Sequence, residues 1–277
     1  MKKTIGIIGG DERSIWLREC LEQEGYVVKT FGIVNDDYTD LSEFLLDLTY
    51  VVSGIPFSRD DQTINMPNST EKVSIEKLFN SMKESKILVA GSFSDNVKLL
   101  GKKHDIKLYD FLDDEDFAIY NAIPTAEGAI KIAVEEYAGT IHSSNSLILG
   151  FGRIGKVLAD MLKGLHANVY VAARKNEDLA WIKTLGYIPV SYKDLPNKLT
   201  KTDLLFNTVP SLLIKKEELM LMKNDSLIID LASHPGGIDF ESAKDLAIKV
   251  NWALGLPGKV SPKSVANYMM EKLKNID

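Results

Sequence analysis

The residues Gly150, Gly152 and Gly155 stand at G-x-G-x-x-G spacing between an apolar run, Leu147 to Leu149, and a helical pattern carried by Val157, Leu158, Met161, Leu162 and Leu165. Each glycine has a separate task. Gly150 permits a tight turn, Gly152 lets the backbone approach a pyrophosphate, and Gly155 allows close packing of helix on strand. The start of the helix offers unpaired N–H groups to phosphate oxygens. In a strand–turn–helix context this spacing predicts a dinucleotide site built on Gly150, Phe151, Gly152, Arg153, Ile154 and Gly155. Arg153 is positioned to approach the pyrophosphate.

An NAD-binding fold of this type carries an acidic residue at the end of its second strand, where it binds the ribose hydroxyls. Here that place reads Ala172-Ala-Arg-Lys175. Without an acid, Arg174 and Lys175 suit a 2′-phosphate, because guanidinium–phosphate pairing is strong and directional. NADP is therefore expected in preference to NAD; the competing reading is a solvated basic turn. Ala173 and the turns after later strands, Thr208-Val-Pro210 and Leu231, complete the expected cofactor contacts.

Those turns must be carried by alternating strands and helices. From Thr4 the chain reads β-α-β, with Gly9-Gly10-Asp11 as a turn that lacks the third glycine, and this half is expected not to bind a dinucleotide. Strands near Tyr50 to Ser53, Lys86 to Ala90 and Lys107 to Asp110 continue the alternation. Phe57 to Pro67 reads as a loop. The acidic run Asp113 to Asp116 reads as a solvated loop and not a metal cage, and no metal site is expected. Pro124 suits a first helical turn, and Ala126, Ala129, Ile130, Ala133, Val134 and Tyr137 repeat at helical spacing up to Gly139. The expected architecture is α/β: two Rossmann-like domains with parallel sheets, joined by a connecting helix, with a cleft between them. The expected boundaries are 1–122, 123–140 for the connecting helix, 141–260, and 261–277 for a final helix that crosses back. That helix reads as an oligomer interface or a cover for the cleft.

Composition sets outer limits. At 277 residues, with 45% hydrophobic and 26% charged side chains, the chain is an ordinary two-domain length and mixture. A net charge of -6 argues against nucleic acid as a partner. The single cysteine, Cys20, cannot form an intrachain disulfide and reads as a packed thiol. No signal peptide or membrane span is expected, which points to the cytoplasm. Arginine is scarce, and Arg13, Arg59, Arg153 and Arg174 all fall near turns after strands. Arg13 and Arg59 read either as contacts to an anionic substrate or as surface ion pairs.

Ile123-Pro-Thr-Ala-Glu-Gly-Ala129, Leu149-Gly-Phe-Gly-Arg-Ile-Gly155, Ile229-Asp-Leu-Ala-Ser233 with Pro235-Gly-Gly237, and Gly255-Leu-Pro-Gly258 with Pro262-Lys263 together resemble the A subunits of dipicolinate synthase. The resemblance extends back to Ile8-Gly-Gly-Asp11 and Arg13. It departs at His234, where a lysine or arginine is expected, and at Lys259, where an apolar residue is expected. It implies an oxidoreductase that dehydrogenates dihydrodipicolinate to dipicolinate, pyridine-2,6-dicarboxylate, during sporulation, in the mother cell of a spore former. It also implies a partner, the flavoprotein-like B subunit of dipicolinate synthase, and thus a heteromeric complex.

A substrate with two carboxylates calls for arginines, helix-start N–H groups and hydroxyl or amide side chains. Arg13, Gly54, Arg59, Ser92, Ser94, Asn121, Thr125, Ser233 and His234 are the expected substrate contacts. For acid–base work, His234 is the histidine in a strand-end turn of the cofactor half, and histidine titrates near neutral pH. Glu127, in the first turn of the connecting helix, is the other candidate. Each also has a plainer reading, His234 as a loop residue or carboxylate contact and Glu127 as a favourable charge at a helix start. Two other functions stay open: a regulatory nucleotide-binding protein with the chemistry on the B subunit, and a two-domain dehydrogenase of hydroxy or amino acids.

Overall fold

The computed structural model describes residues 4–34, 37–38, 40–82 and 86–276. Residues 1–3, which begin the segment that bears on a signal peptide, lie outside that range. The chain forms two compact units, Met1–Tyr120 with Ser261–Asp277, and Asn121–Val260.

The first unit begins β1 (Thr4–Ile8), α1 (Glu12–Gln23), β2 (Val27–Phe31), α2 (Leu41–Phe44) and β3 (Tyr50–Ser53). It continues α3 (Ile75–Ser81), β4 (Ile87–Ala90), α4 (Asp95–Lys103) and β5 (Lys107–Asp110). The strands pair in parallel in the order β2-β1-β3-β4-β5. Every residue of β3 is buried, as expected of a strand covered on both faces.

Helix α5 runs from Glu115 to Glu136, so the acidic run is not a loop throughout and Pro124 is not in a first turn. Asp114 accepts the Phe117 N–H at 3.1 Å, and Glu115 and Asp116 lie where the helix dipole favours carboxylates. These local interactions start the helix earlier than the proline would indicate. Pro124 inside it removes one backbone donor. The burial of Ala126, Ala129 and Ala133 in the second unit's core works against that cost.

The second unit contains β6 (Asn145–Leu149), α6 (Arg153–Gly164), β7 (Asn168–Ala173), α7 (Asn176–Thr184), β8 (Ile188–Ser191) and α8 (Leu195–Leu199). Then follow β9 (Leu204–Asn207), α9 (Lys216–Leu219), β10 (Leu227–Asp230), α10 (Phe240–Asp245), β11 (Lys249–Trp252) and α11 (Leu256–Val260). Its sheet is also parallel, in the order β11-β10-β9-β6-β7-β8. The register places Leu149 level with Ala172 and Asn207, and Asn207 level with Asp230. The turns that follow these strands therefore leave from one edge, where open parallel sheets bind ligands.

Helix α12 (Pro262–Lys274) belongs to the first unit. Val265, Ala266, Met269, Met270 and Leu273 share a core with Leu17 and Leu21 of α1. Lys272 reaches Asp114 at 2.7 Å and Asp116 at 3.2 Å, and the Tyr50 hydroxyl donates to the Ile276 carbonyl at 2.6 Å. Cys20 is buried beside this helix, its Sγ 3.0 Å from Asn267 Oδ1, and burial pushes its thiol pKa up. Among the described residues, no helix is long and apolar enough to cross a membrane.

Candidate functional site

In the second unit, Gly150 holds φ +98, a conformation that side chains rarely adopt, and a Cβ there would meet Thr208 Oγ1 at 2.5 Å. Thr208 sits close because its N–H and hydroxyl both donate to the Leu149 carbonyl, at 3.0 and 2.8 Å. A Cβ on Gly155 would collide with the Gly150 carbonyl, so close packing of α6 on the turn requires glycine. At Gly152 a Cβ would meet nothing within 4 Å. Gly152 is also the N-cap of α6, with no side-chain cap bond and no acid in the first turn. The helix start thus combines open space, donor N–H groups and uncompensated positive dipole, and these fit a pyrophosphate. Phe151 is buried beneath, with the Lys156 ammonium 5.4 Å from its ring centroid, while Arg153 and Ile154 occupy the first turn.

At the end of β7, Ala173 is buried and Arg174 and Lys175 are exposed. Lys175 pairs loosely with Glu177 at 3.4 Å, both largely in water. Burial raises the Tyr192 phenol pKa, and the Arg174 charge opposes the rise. Two cations stand at the strand end where an NAD site would present a carboxylate.

The turns after β9 and β10 are tied by a pair that sequence reasoning missed. Asn207 Nδ2 donates to Asp230 Oδ1 at 2.7 Å, and both residues are fully buried. Asp230 also accepts from Ala232 N at 3.0 Å and Gly237 N at 2.8 Å. Asn207 bonds Val209 through both amide atoms, at 3.0 and 3.1 Å. Pro210 is exposed beyond this anchor, and Leu231 is buried. The loop carrying Ser233 and His234 thus folds back over its own strand end. Both residues are exposed, and the His234 ring meets Trp252 edge-on with centroids 4.8 Å apart. The sequence signal was present but ambiguous: two apolar strands, Leu204–Asn207 and Leu227–Asp230, each end in a polar side chain.

Asn121 and Thr125 lie one turn apart on α5, and the Thr125 hydroxyl donates to the Asn121 carbonyl at 2.8 Å. Asn121 Oδ1 is buried without a hydrogen-bond partner among the described residues. Glu127 is exposed in the interior of α5, not in its first turn, so the helix start does not account for it.

In the first unit the strand-end turns close on themselves. Arg13 is only 6% exposed, and its guanidinium grips Asp11 through Nε at 2.8 Å and Nη2 at 2.7 Å while also donating to the Ile55 carbonyl. Burial would raise the Asp11 pKa, but the hydrogen bonds and charge of Arg13, with the charge of Arg59, hold it below its ordinary value. Gly54 approaches Gly10 so closely that a Cβ would lie 2.7 Å from its Cα. Arg59 is exposed and steadied through Nε by Asn65 Oδ1 at 3.3 Å; the Asn65 carbonyl in turn accepts the Gly10 N–H at 2.8 Å. Arg13, Gly54 and Arg59 are therefore gathered around one turn. Ser92, at φ +62, is exposed on a neighbouring strand end, where its N–H donates to Asp110 at 3.0 Å. The Ser94 hydroxyl is engaged as the cap of α4, accepting from Val97 N at 3.2 Å.

Comparison with known proteins adds independent findings. Residues 4–112 match the family described as the N-terminal domain of the dipicolinate synthase A subunit. Residues 125–235 match the NAD-binding domain of D-isomer specific 2-hydroxyacid dehydrogenases. The chain is 31% identical to the dipicolinate synthase A subunit of Bacillus subtilis (strain 168), over 98% of its own length and 95% of the relative's. The crystal structure of the Bacillus halodurans A subunit superposes with a TM-score of 0.90 at 29% identity, covering 99% of this chain and 97% of that one. A transhydrogenase from Sinorhizobium meliloti shares the fold, with a TM-score of 0.73 at 13% identity over 98% of this chain and 93% of that one.

Proposed function

The chain belongs to the family of dipicolinate synthase A subunits, which makes it a nicotinamide-dependent oxidoreductase, and on that premise we propose that it oxidises dihydrodipicolinate to dipicolinate with NADP. The loss of one hydride and one proton makes the substrate ring an aromatic pyridine-2,6-dicarboxylate. The reaction serves sporulation in the mother-cell cytoplasm, and the chain works in a complex with a flavoprotein-like B subunit. When bound, the nicotinamide supplies the hydride acceptor.

The chain's own residues supply position and charge. Gly152 and the open start of α6 hold the pyrophosphate, and Arg174 with Lys175 holds the 2′-phosphate. Arg59, Ser92, Asn121, Thr125 and Ser233 are the binding groups for the two carboxylates and the ring. Arg13 and Gly54 shape the turn behind Arg59. The Ser94 hydroxyl, already engaged as a cap, leaves its loop backbone to face the substrate. His234 accepts the proton, with Glu127 as the alternative base. Because aromatisation drives the step, positioning and charge matching carry most of the catalysis.

The observation that carries the NADP reading is the pair of exposed cations at the end of β7, where no acid stands. Arg174→Asp should weaken NADP binding by roughly 10- to 100-fold, on the order of a charge-assisted phosphate contact, and narrow the gap to NAD. Titration of the full chain with each cofactor measures this. Unchanged affinity for both would remove Arg174 from the ribose site.

A further inference from the structure

Asp230 is a fully buried carboxylate with no ion-pair partner among the described residues. Such a group is costly unless donors satisfy it. Here they do: Asn207 Nδ2 and Ala232 N reach one oxygen, and Gly237 N reaches the other. An ionised carboxylate only accepts, and all three of these partners donate. The loop lies so tightly over the pair that a Cβ on Gly236 would come within 2.9 Å of Asp230 Oδ2, and one on Gly237 would strike Asn207 Nδ2. Asn207 also grips Val209 from the neighbouring strand end. The Ala232 carbonyl takes the Trp252 indole N–H at 3.0 Å, and Trp252 stacks on Phe240 and meets the His234 ring.

We propose that Asp230 and Asn207 are positioning residues that fix the Ser233–Gly237 loop, and with it His234, against the turn after β9. Their link joins the ends of two adjacent strands, so one buried pair sets where both turns stand. The role in turnover rests on the reading that places His234 at the substrate. The role in holding the loop does not.

The chemistry of the pair predicts an asymmetric set of variants. Asp230→Asn is isosteric, yet it turns an amide donor toward Asn207, Ala232 or Gly237, all of which already donate. Asn207→Asp opposes two carboxylates at the separation of the present bond. The exchange Asn207→Asp with Asp230→Asn restores a donor–acceptor pair and keeps an acceptor for Gly237, while losing the Ala232 contact and the bond from residue 207 to the Val209 carbonyl. It should therefore recover part of what either single change loses, which additive damage to two independent sites would not do.

Two measurements on the full chain decide the matter. The first is Trp252 emission in a Trp16→Phe, Trp181→Phe background, where contact with the adjacent imidazole alters the indole emission. His234→Ala should produce a step in that emission when introduced into the parent; the same step should be flattened in Asp230→Asn and partly restored in the exchange. The second is kinetics with the B subunit present. Asp230→Asn should lower kcat/KM for dihydrodipicolinate roughly 10- to 100-fold, as misplacement by about 1 Å does, while NADP affinity changes less than about threefold. A parent-like emission step and parent-like kinetics in Asp230→Asn would overturn the proposal. If His234→Ala turns over like the parent while Asp230→Asn flattens the emission step, the loop anchor stands and the placement of His234 at the substrate fails.

Discussion

Both units contain the same sequence of parts, a buried strand, a glycine turn and a helix, and they differ in how the helix start is filled. In the first unit Asp11 caps α1, accepting the Arg13 N–H at 3.1 Å, and its carboxylate occupies the position at which an anion would meet the helix. The turn is also roofed: Gly10 N donates to the Asn65 carbonyl, and a Cβ on Gly9 would meet Met66 at 2.5 Å. In the second unit the cap is Gly152, with no side-chain bond and no atom within 4 Å of where its Cβ would be. The strand and helix geometry is shared. What separates a phosphate site from a structural turn is whether the protein has already filled the helix start with its own charge.

That contrast can be broken most forcefully at Gly152. Gly152→Asp would give the second unit the cap that the first one has. Its backbone angle, φ -81, suits any residue, and the open space admits the side chain without collision. The fold should therefore hold, with an unchanged melting temperature or a small rise from the added cap. Cofactor affinity should fall at least about 100-fold, because a fixed carboxylate would both occupy the pyrophosphate position and repel it. Calorimetric titration with NADP reads the loss. Retention of affinity would mean that the dinucleotide does not approach this turn.

The reciprocal change, Asp11→Asn, acts on stability. It leaves the Arg13 guanidinium, only 6% exposed, without its counter-charge. Breaking a fully buried pair costs about 3–5 kcal/mol; with the Asp11 side chain 32% exposed, about 2 kcal/mol is expected here. Because the Asp11 pKa is lowered in the folded state, its contribution is complete above the unfolded carboxylate range and disappears as pH falls through the folded value. Denaturant unfolding should show the widest gap between parent and variant near neutral pH and a closing gap below the carboxylate range. A gap independent of pH would assign the effect to lost geometry and not to charge.

The glycine turn was legible because its constraints are local. A positive φ at Gly150 and a missing Cβ at Gly155 act within six residues of chain, and only glycine meets them. The parallel sheets were legible from buried apolar runs such as Tyr50 to Ser53. What escaped depended on partners distant in sequence or on competing local signals. The Asn207–Asp230 bond spans 23 residues, and a polar residue ending a strand looks the same whether it meets a buried partner or water. The start of α5 escaped because Asp113 to Asp116 resembles a loop and Pro124 resembles a first turn. Arg13 was visible as an arginine near a glycine turn, but residue type does not say whether its fork takes a substrate or Asp11.

Arg59 gives the finest test of the difference between the two turns. Unlike Arg13, it lies in solvent; Asn65 holds its Nε, and among the described residues no carboxylate forms an ion pair with its guanidinium. Asp60, next to it, shapes the tip: its carboxylate accepts the Thr63 and Gln62 N–H groups and the Thr63 hydroxyl, and these bonds hold its pKa well below the ordinary range. A loop braced in this way that presents an exposed guanidinium is suited to a carboxylate, since an arginine fork pairs with one bidentately. Arg59→Ala should raise KM for dihydrodipicolinate about tenfold, the loss of one charge-assisted contact, while leaving NADP affinity and the melting temperature unchanged. Arg59→Lys should recover only part of the loss, because an ammonium keeps the charge but not the fork. A parent-like KM in Arg59→Ala would leave the first unit's turn a purely structural counterpart of the cofactor turn.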